Sequence, residues 1–169
     1  PEEEAIDEQF GKLGIKPRDL DYVFLTHLDV DHASGLELVK EAKHIMTSKE
    51  ELEAAQKGDI RYSDRFWNGV NLEPFEMKVS SYGPFGRSYD VFGDESVLLI
   101  DVAGHTKGTS LVMVQNQGQF VLLTGDTGYA KESWEELRLP GPVDDKEKMR
   151  KTLKWVQEMS KKEGCVEVL

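Results

Sequence analysis

The sequence predicts an α/β fold, in which helices pack against the outside of layered β-strands. Three observations support this prediction. Apolar residues recur at helical spacing near both ends of the chain. Between these ends lie short runs rich in valine, isoleucine and aromatic residues, which are typical of strands. No linker in the chain is long enough to separate two domains, so we expect a single domain over residues 1–169.

The amino-terminal part is predicted to alternate helices and strands. Acids and spaced apolar residues indicate the first helix, which Gly14 would end. Ser48, with Glu51 three residues later, resembles a capping box and predicts the start of the third helix. The predicted elements are a helix over 2–13, a strand over 22–25, a helix over 35–42, a strand over 44–47 and a helix over 49–56.

The rest of the chain is mainly β until its last long helix. Residues 58–74 suit an irregular loop that lays aromatic rings against the domain. Asp144 is a suitable N-cap for a helix over 144–162, and Gly164 would stop it. The helix presents Met149, Leu153, Val156 and Met159 on one face. The predicted strands cover 75–79, 88–92, 97–102, 110–115, 119–124 and 166–169, with a tight turn at 116–118.

Composition restricts the class of partner. The formal net charge of −11 repels phosphate backbones, so we expect no nucleic acid partner. The single cysteine, Cys165, cannot form an internal disulfide, and we expect it to be an inert core thiol. No run is apolar enough for a membrane helix, and we expect no secretory leader, since the sequence shows no positively charged, apolar segment of that type. We therefore expect a soluble, cytoplasmic protein without a membrane partner.

One segment carries an unusual density of metal-ligand side chains. The run Thr26-His27-Leu28-Asp29-Val30-Asp31-His32 follows the first predicted strand and offers four candidate ligands in six residues. Imidazole and carboxylate groups suit zinc, iron and manganese. A helix would point residues two apart to different faces, whereas a loop can direct several side chains to one ion. The segment therefore predicts a metal-binding loop.

Two further candidate ligands follow later strands. His105 lies in the segment Gly-His-Thr-Lys-Gly, and Asp126 follows Thr124-Gly125. Each segment alone is a common type of turn. Since strand ends at one edge of a sheet can meet in space, three such loops together predict a shared metal site. His44 has no partner nearby in sequence, and we expect it to be structural.

These segments resemble the metal-binding motifs of the metallo-β-lactamase superfamily. The resemblance covers about residues 10–168 and rests on the HxDxDH run, the AGHTKG segment and the TGD segment. It is nearest to the N-acyl-homoserine lactonase-like branch, because the KLGIKPRDLDYVFLTH lead-in and a tyrosine three residues after Asp126 are similar. The resemblance implies an αββα sandwich and a hydrolase that acts on an ester, a lactone or a similar small carbonyl substrate.

The resemblance also implies roles for individual residues. His27, Asp29 and His105 would hold one metal, Asp31 and His32 a second, and Asp126 would bridge them. In that family the metals share a hydroxide that attacks the carbonyl carbon. Asp31 could also receive the proton of the nucleophile, and Tyr129 could donate a hydrogen bond to the oxyanion or leaving group. The expected cofactor is a divalent metal, two zinc ions in an intact site.

The chain departs from the family pattern in two respects. Asp29 stands where the family usually has a second histidine, which makes the site harder and shifts it towards iron or manganese. The last metal histidine of the family and its amino-terminal strands have no counterpart here, so we expect a partial domain. A partial domain would have an unpaired sheet edge, through which the chain could form a homo-oligomer.

Two alternatives to the hydrolase remain. Asp29 is matched by a carboxylate in flavodiiron proteins, which suggests a di-iron oxygen or nitric oxide reductase module. The missing ligands suggest a non-catalytic domain with a degraded metal site. Metal content and visible absorbance would separate these alternatives.

Overall fold

The computed structural model describes residues 5–169 and contains two compact units. The amino-terminal unit ends at Phe75, and the carboxy-terminal unit is Glu76–Leu169. Residues 2–4 of the first predicted helix lie outside the described residues. The single domain over residues 1–169 stays a prediction.

The amino-terminal unit is built on a parallel sheet of three strands in the order β1-β2-β3. Four helices connect or precede the strands, and two single 3₁₀ turns, Pro17–Asp19 and Asp64–Phe66, lie in the connections. The strands are β1 (Tyr22–Phe24), β2 (His44–Ser48) and β3 (Leu72–Phe75). The helices are α1 (Ile6–Lys12), α2 (Val30–Ala33), α3 (Leu36–Val39) and α4 (Lys49–Gln56).

The core of this unit gathers apolar residues from the ligand loop, from the short helices and from β2. Leu28 is fully buried beside Leu36 and Ile45. Burial of such side chains stabilises the fold by about 1.5–3 kcal/mol each. Helix α4 begins as predicted, since Ser48 Oγ accepts a hydrogen bond from the Glu51 N–H at 3.1 Å. The loop that carries the candidate ligands is thus packed into the core.

The carboxy-terminal unit is a six-stranded sheet in which consecutive strands are neighbours. All pairs are antiparallel except β8 and β9, which run parallel because helix α6 crosses between them. A 3₁₀ turn, Gly125–Thr127, follows β8. The strands are β4 (Lys78–Val79), β5 (Arg87–Asp90), β6 (Val97–Asp101), β7 (Ser110–Asn116), β8 (Gln119–Leu123) and β9 (Cys165–Val168). The helices are α5 (Lys131–Glu135) and α6 (Lys146–Ser160).

Helix α6 covers the core of the second unit. Its four predicted apolar residues, Met149, Leu153, Val156 and Met159, are all buried. The N-cap prediction was wrong by one residue: Asp145, not Asp144, accepts hydrogen bonds from the N–H groups of the first turn, both at 3.0 Å.

The chain between α4 and β5 differs most from the sequence prediction. Residues 75–79 do not form one strand: Phe75 ends β3 in the parallel sheet, whereas Lys78–Val79 pairs with β5 in the other unit. The predicted loop over 58–74 was therefore too long. Pro74 concealed the strand, because proline is confined to the edges of sheets, and β3 is an edge strand among the described residues.

Helices of the described part of the chain are too short or too polar to cross a membrane.

Candidate metal centre

The predicted ligand loop begins directly after β1 and has its most buried ligand first. His27 is fully buried, in a segment where Leu25 and Leu28 enter the core. The backbone of Asp29 is extended and precedes the short helix α2, so Asp29 occupies its N-cap position. Asp31 and His32 lie within α2, so the prediction of a loop was wrong from Val30 onwards. The side chain of Asp31 is 79% exposed and that of His32 is 30% exposed. The candidate ligands thus become more exposed along the segment, from the buried His27 to the exposed Asp31.

The ligand atoms of this loop lie close together. His27 Nε2 is 3.7 Å from Asp29 Oδ2, and His32 Nε2 is 3.8 Å from Asp31 Oδ2. The two histidine rings have centroids 4.0 Å apart. Thr26 Oγ1 lies 3.0 Å from His27 Nδ1, which orients the ring so that Nε2 faces the carboxylate. The amino-terminal unit therefore places His27 beside both Asp29 and His32, and it places Asp31 beside His32.

Two side chains outside the loop hold it in place. Glu51, fully buried on α4, accepts a hydrogen bond from the Leu28 N–H at 2.9 Å. Arg61 binds both carboxylate oxygens of Asp29, each at 2.7 Å, and its carbonyl oxygen accepts from the Val30 N–H at 3.1 Å. Sequence reasoning missed both roles. Glu51 was assigned only to the helix cap, and Arg61 fell in the loop whose details carry no periodic signal.

The carboxy-terminal unit holds the other two predicted ligands. His105 is 2% exposed, and its Nε2 lies 3.5 Å from Asp126 Oδ2. Gly104 before the histidine has a φ of 152°, and a Cβ there would lie 2.8 Å from the Met149 nitrogen, so the turn requires glycine. The predicted convergence of these two strand-end segments is thus present within this unit.

The loop of His105 is attached to the start of α6. The N–H of Asp144 donates to the His105 carbonyl at 3.1 Å, and the N–H of Asp145 donates to the Gly104 carbonyl at 3.0 Å. On the other side of the loop, the Thr106 N–H donates to Thr109 Oγ1 at 2.8 Å. These bonds hold the backbone of the His105 segment from both sides.

Tyr129, the predicted catalytic tyrosine, follows the 3₁₀ turn that carries Asp126. Its side chain is 60% exposed, and its hydroxyl lies beside Gly141, where a Cβ would come within 3.1 Å of it. A groove of about 490 Å³ runs from Tyr129 past Trp134 to β9. The tyrosine is therefore on an accessible surface, as a group that meets a substrate must be.

The residues present in each unit fit a divalent metal. Two atoms bound tetrahedrally to one zinc ion at about 2.1 Å lie about 3.4 Å apart. The nitrogen–oxygen separations of 3.7 Å at His27 and Asp29 and of 3.5 Å at His105 and Asp126 are near that value. Both histidines are buried, and imidazole with carboxylate suits zinc, iron or manganese.

Two other predictions concern residues away from this cluster. His44 has a partner that is distant in sequence: its Nδ1 lies 3.1 Å from a carboxylate oxygen of Glu73, which β3 places beside β2. Cys165 is half-buried against the core of the second unit, and burial raises the pKa of its thiol. That the thiol is inert stays a prediction.

The sequence matches the family model of the metallo-beta-lactamase superfamily over residues 1–164. The chain therefore belongs to this superfamily, and the observed α/β architecture agrees with the resemblance of its motifs. The family implies binding of a divalent metal.

Within the superfamily the chain is similar to N-acyl homoserine lactonases. It is 32% identical to the N-acyl homoserine lactonase AttM of Azorhizobium caulinodans over 83% of this chain and 53% of that protein. It is 30% identical to an N-acyl homoserine lactonase of Bacillus cereus over 96% of this chain and 60% of that protein. A solved structure of an N-acyl homoserine lactone hydrolase with the product N-hexanoyl-L-homoserine bound at its catalytic metal center superposes with a TM-score of 0.77 and 28% identity.

That superposition covers 98% of this chain but 61% of the solved chain. The chain thus spans little more than half the length of the proteins that it matches.

Proposed function

We propose that the protein is a metal-dependent hydrolase that opens a lactone, with N-acyl homoserine lactones as the substrate class. The observation that carries this proposal is the pairing of a buried histidine with a carboxylate on strand-end segments, at His105 and Asp126 and again at His27 and Asp29. Similarity to lactonases over most of the chain supports the lactone. When bound, the metal acidifies water and polarises the substrate carbonyl.

The ligands divide between two metals in this proposal. When metal is bound, His27, Asp29 and His105 would hold the first ion, Asp31 and His32 would hold the second, and Asp126 would contribute to both. The burial of His27 and His105 supports the assignment, because the packed surroundings of each ring limit the orientations that it can adopt. Two zinc ions are the proposed content, with iron or manganese as the alternative because Asp29 is a hard ligand.

Two residues act on protons or on the developing charge. Asp31, with 79% of its side chain exposed, accepts the proton of the attacking water at a carboxylate oxygen. Tyr129 donates its hydroxyl proton in a hydrogen bond to the oxygen that becomes negative as the lactone opens. The exposure of Tyr129 supports this role, since a substrate must reach it.

Metal analysis and lactone hydrolysis test the proposal together. The complete gene product, its Asp126→Ala variant and the control Asp94→Ala are compared. Asp94 is an exposed carboxylate on the turn before β6 and has no ligand role. We expect about two metals per chain and hydrolysis of N-hexanoyl homoserine lactone in the wild type and in the control, and loss of both in Asp126→Ala.

Other outcomes would replace the proposal. Absence of metal from the wild type would favour the alternative of a non-catalytic domain with a degraded metal site. Two iron ions with visible absorbance and no hydrolysis would favour the di-iron reductase, which Asp29 suggests. Metal-independent hydrolysis would remove the metal from the mechanism.

A further inference from the structure

The ion pair between Asp29 and Arg61 joins the ligand loop to a side chain outside it. Arg61 donates its Nε–H to Oδ1 and its Nη2–H to Oδ2, both at 2.7 Å. Each side chain is only 13% exposed. A two-pronged bond of this kind fixes the plane of the carboxylate and is stronger than a neutral hydrogen bond.

The pair also selects which oxygen faces the neighbouring ligand. Oδ2, which accepts from Nη2, is the oxygen that lies 3.7 Å from His27 Nε2. Arg61 is anchored in turn, because its carbonyl accepts from the Val30 N–H. The backbone of Arg61 is thus tied to the loop whose carboxylate its guanidinium orients.

We propose that Arg61 is a positioning residue that fixes Asp29 for metal binding and offsets its charge; this inference rests on the proposed metal centre. Each carboxylate oxygen has two acceptor sites, so a bond to Arg61 leaves the second site of Oδ2 for a metal. Together the two side chains carry no net charge, as a neutral histidine would. A carboxylate can therefore stand where a histidine is usual without making the site more negative.

Zinc affinity tests the role without a measurement of activity. The metal-free complete gene product is titrated with zinc in competition with a chromophoric chelator, for the wild type and for Arg61→Gln. We expect binding to weaken about 10- to 100-fold in Arg61→Gln, the usual loss when a residue that orients a ligand is removed. Arg65→Gln is the matched control: Arg65 is exposed, lies against Phe66 at 4.9 Å and should change the affinity less than about twofold.

The same substitution in an Asp29→His background separates positioning from a structural effect. A histidine at position 29 gives the guanidinium no carboxylate to hold, so Arg61→Gln should then no longer weaken zinc binding. An equal loss in both backgrounds would show that Arg61 only supports the loop. An unchanged affinity in the Asp29 background would overturn the role outright.

Two further comparisons keep the test decisive. Should Arg61→Gln not fold, Arg61→Lys replaces it, since lysine keeps the charge but lacks the fork and should give a smaller loss. If the wild type binds no zinc, the proposed metal centre fails. If the wild type binds zinc and the Arg61 variants bind equally well, only the inference about Arg61 fails.

Discussion

The Leu28 N–H, in the middle of the ligand loop, donates a hydrogen bond of 2.9 Å to Glu51 Oε1 on helix α4. Both residues are fully buried, although Glu51 carries a carboxylate. A buried carboxylate is costly unless hydrogen bonds compensate it. The bond therefore links the position of the loop to the stability of the helix.

Glu51→Ala should lower the free energy of unfolding by about 2–3 kcal/mol, because it leaves the buried Leu28 N–H unsatisfied. Urea unfolding followed by circular dichroism measures the loss. Glu53→Ala, on an exposed position of the same helix, is the control and should change the free energy by less than about 0.5 kcal/mol. Equal stabilities of the two variants would contradict a role for Glu51 in the loop.

Tyr129→Phe should lower kcat for lactone hydrolysis about 10- to 100-fold and leave the metal content unchanged, because it removes only a hydrogen-bond donor to developing charge. Steady-state kinetics and elemental analysis on the same samples give both values. Tyr22→Phe, an exposed tyrosine on β1, is the control. Full activity in Tyr129→Phe would show that the hydroxyl of Tyr129 has no role in lactone hydrolysis.

Gly104→Ala should destabilise the protein by about 2–4 kcal/mol, because the new Cβ meets the backbone of Met149 at 2.8 Å and the φ of 152° disfavours any side chain. Thermal unfolding reports the loss. Gly35→Ala is the comparison, since a Cβ there has no neighbour within 4 Å. A Gly104→Ala protein as stable as Gly35→Ala would mean that the loop and α6 separate at little cost.

Alkylation of Cys165 should be slow at neutral pH and accelerate at a higher pH than in the unfolded protein. Burial raises the pKa of this thiol, and the thiolate is the reactive form. Iodoacetamide labelling across a pH series, with and without denaturing urea, provides the two profiles. A native profile at or below the unfolded one would show that the thiol is activated instead of inert.

Much of the fold could be predicted from local sequence patterns. The hairpin of β7 and β8 was predicted from Gln117 and Gly118, which both adopt positive φ in the turn, at 50° and 79°. The apolar face of α6 and the capping by Ser48 were likewise confirmed. These features depend on residues within a few positions of each other, which the sequence displays directly.

Contacts between residues far apart in the chain could not be predicted from the sequence. Glu73 faces His44 only because β3 pairs with β2, and Pro74 disguised that strand. Arg61 is 32 residues from Asp29 in sequence, and a pair at this separation has no periodic pattern from which it could be predicted. The candidate ligands could be predicted from their types and spacing, whereas the residues that orient them depend on tertiary structure.

The amide groups of Asp144 and Asp145 bond to carbonyls of the loop that holds His105, so they are also natural reporters of that loop. Their hydrogen–deuterium exchange should slow when the imidazole is immobilised, since exchange requires these bonds to open. Amide exchange at Asp144 and Asp145 would thus report whether the buried His105 has bound a metal.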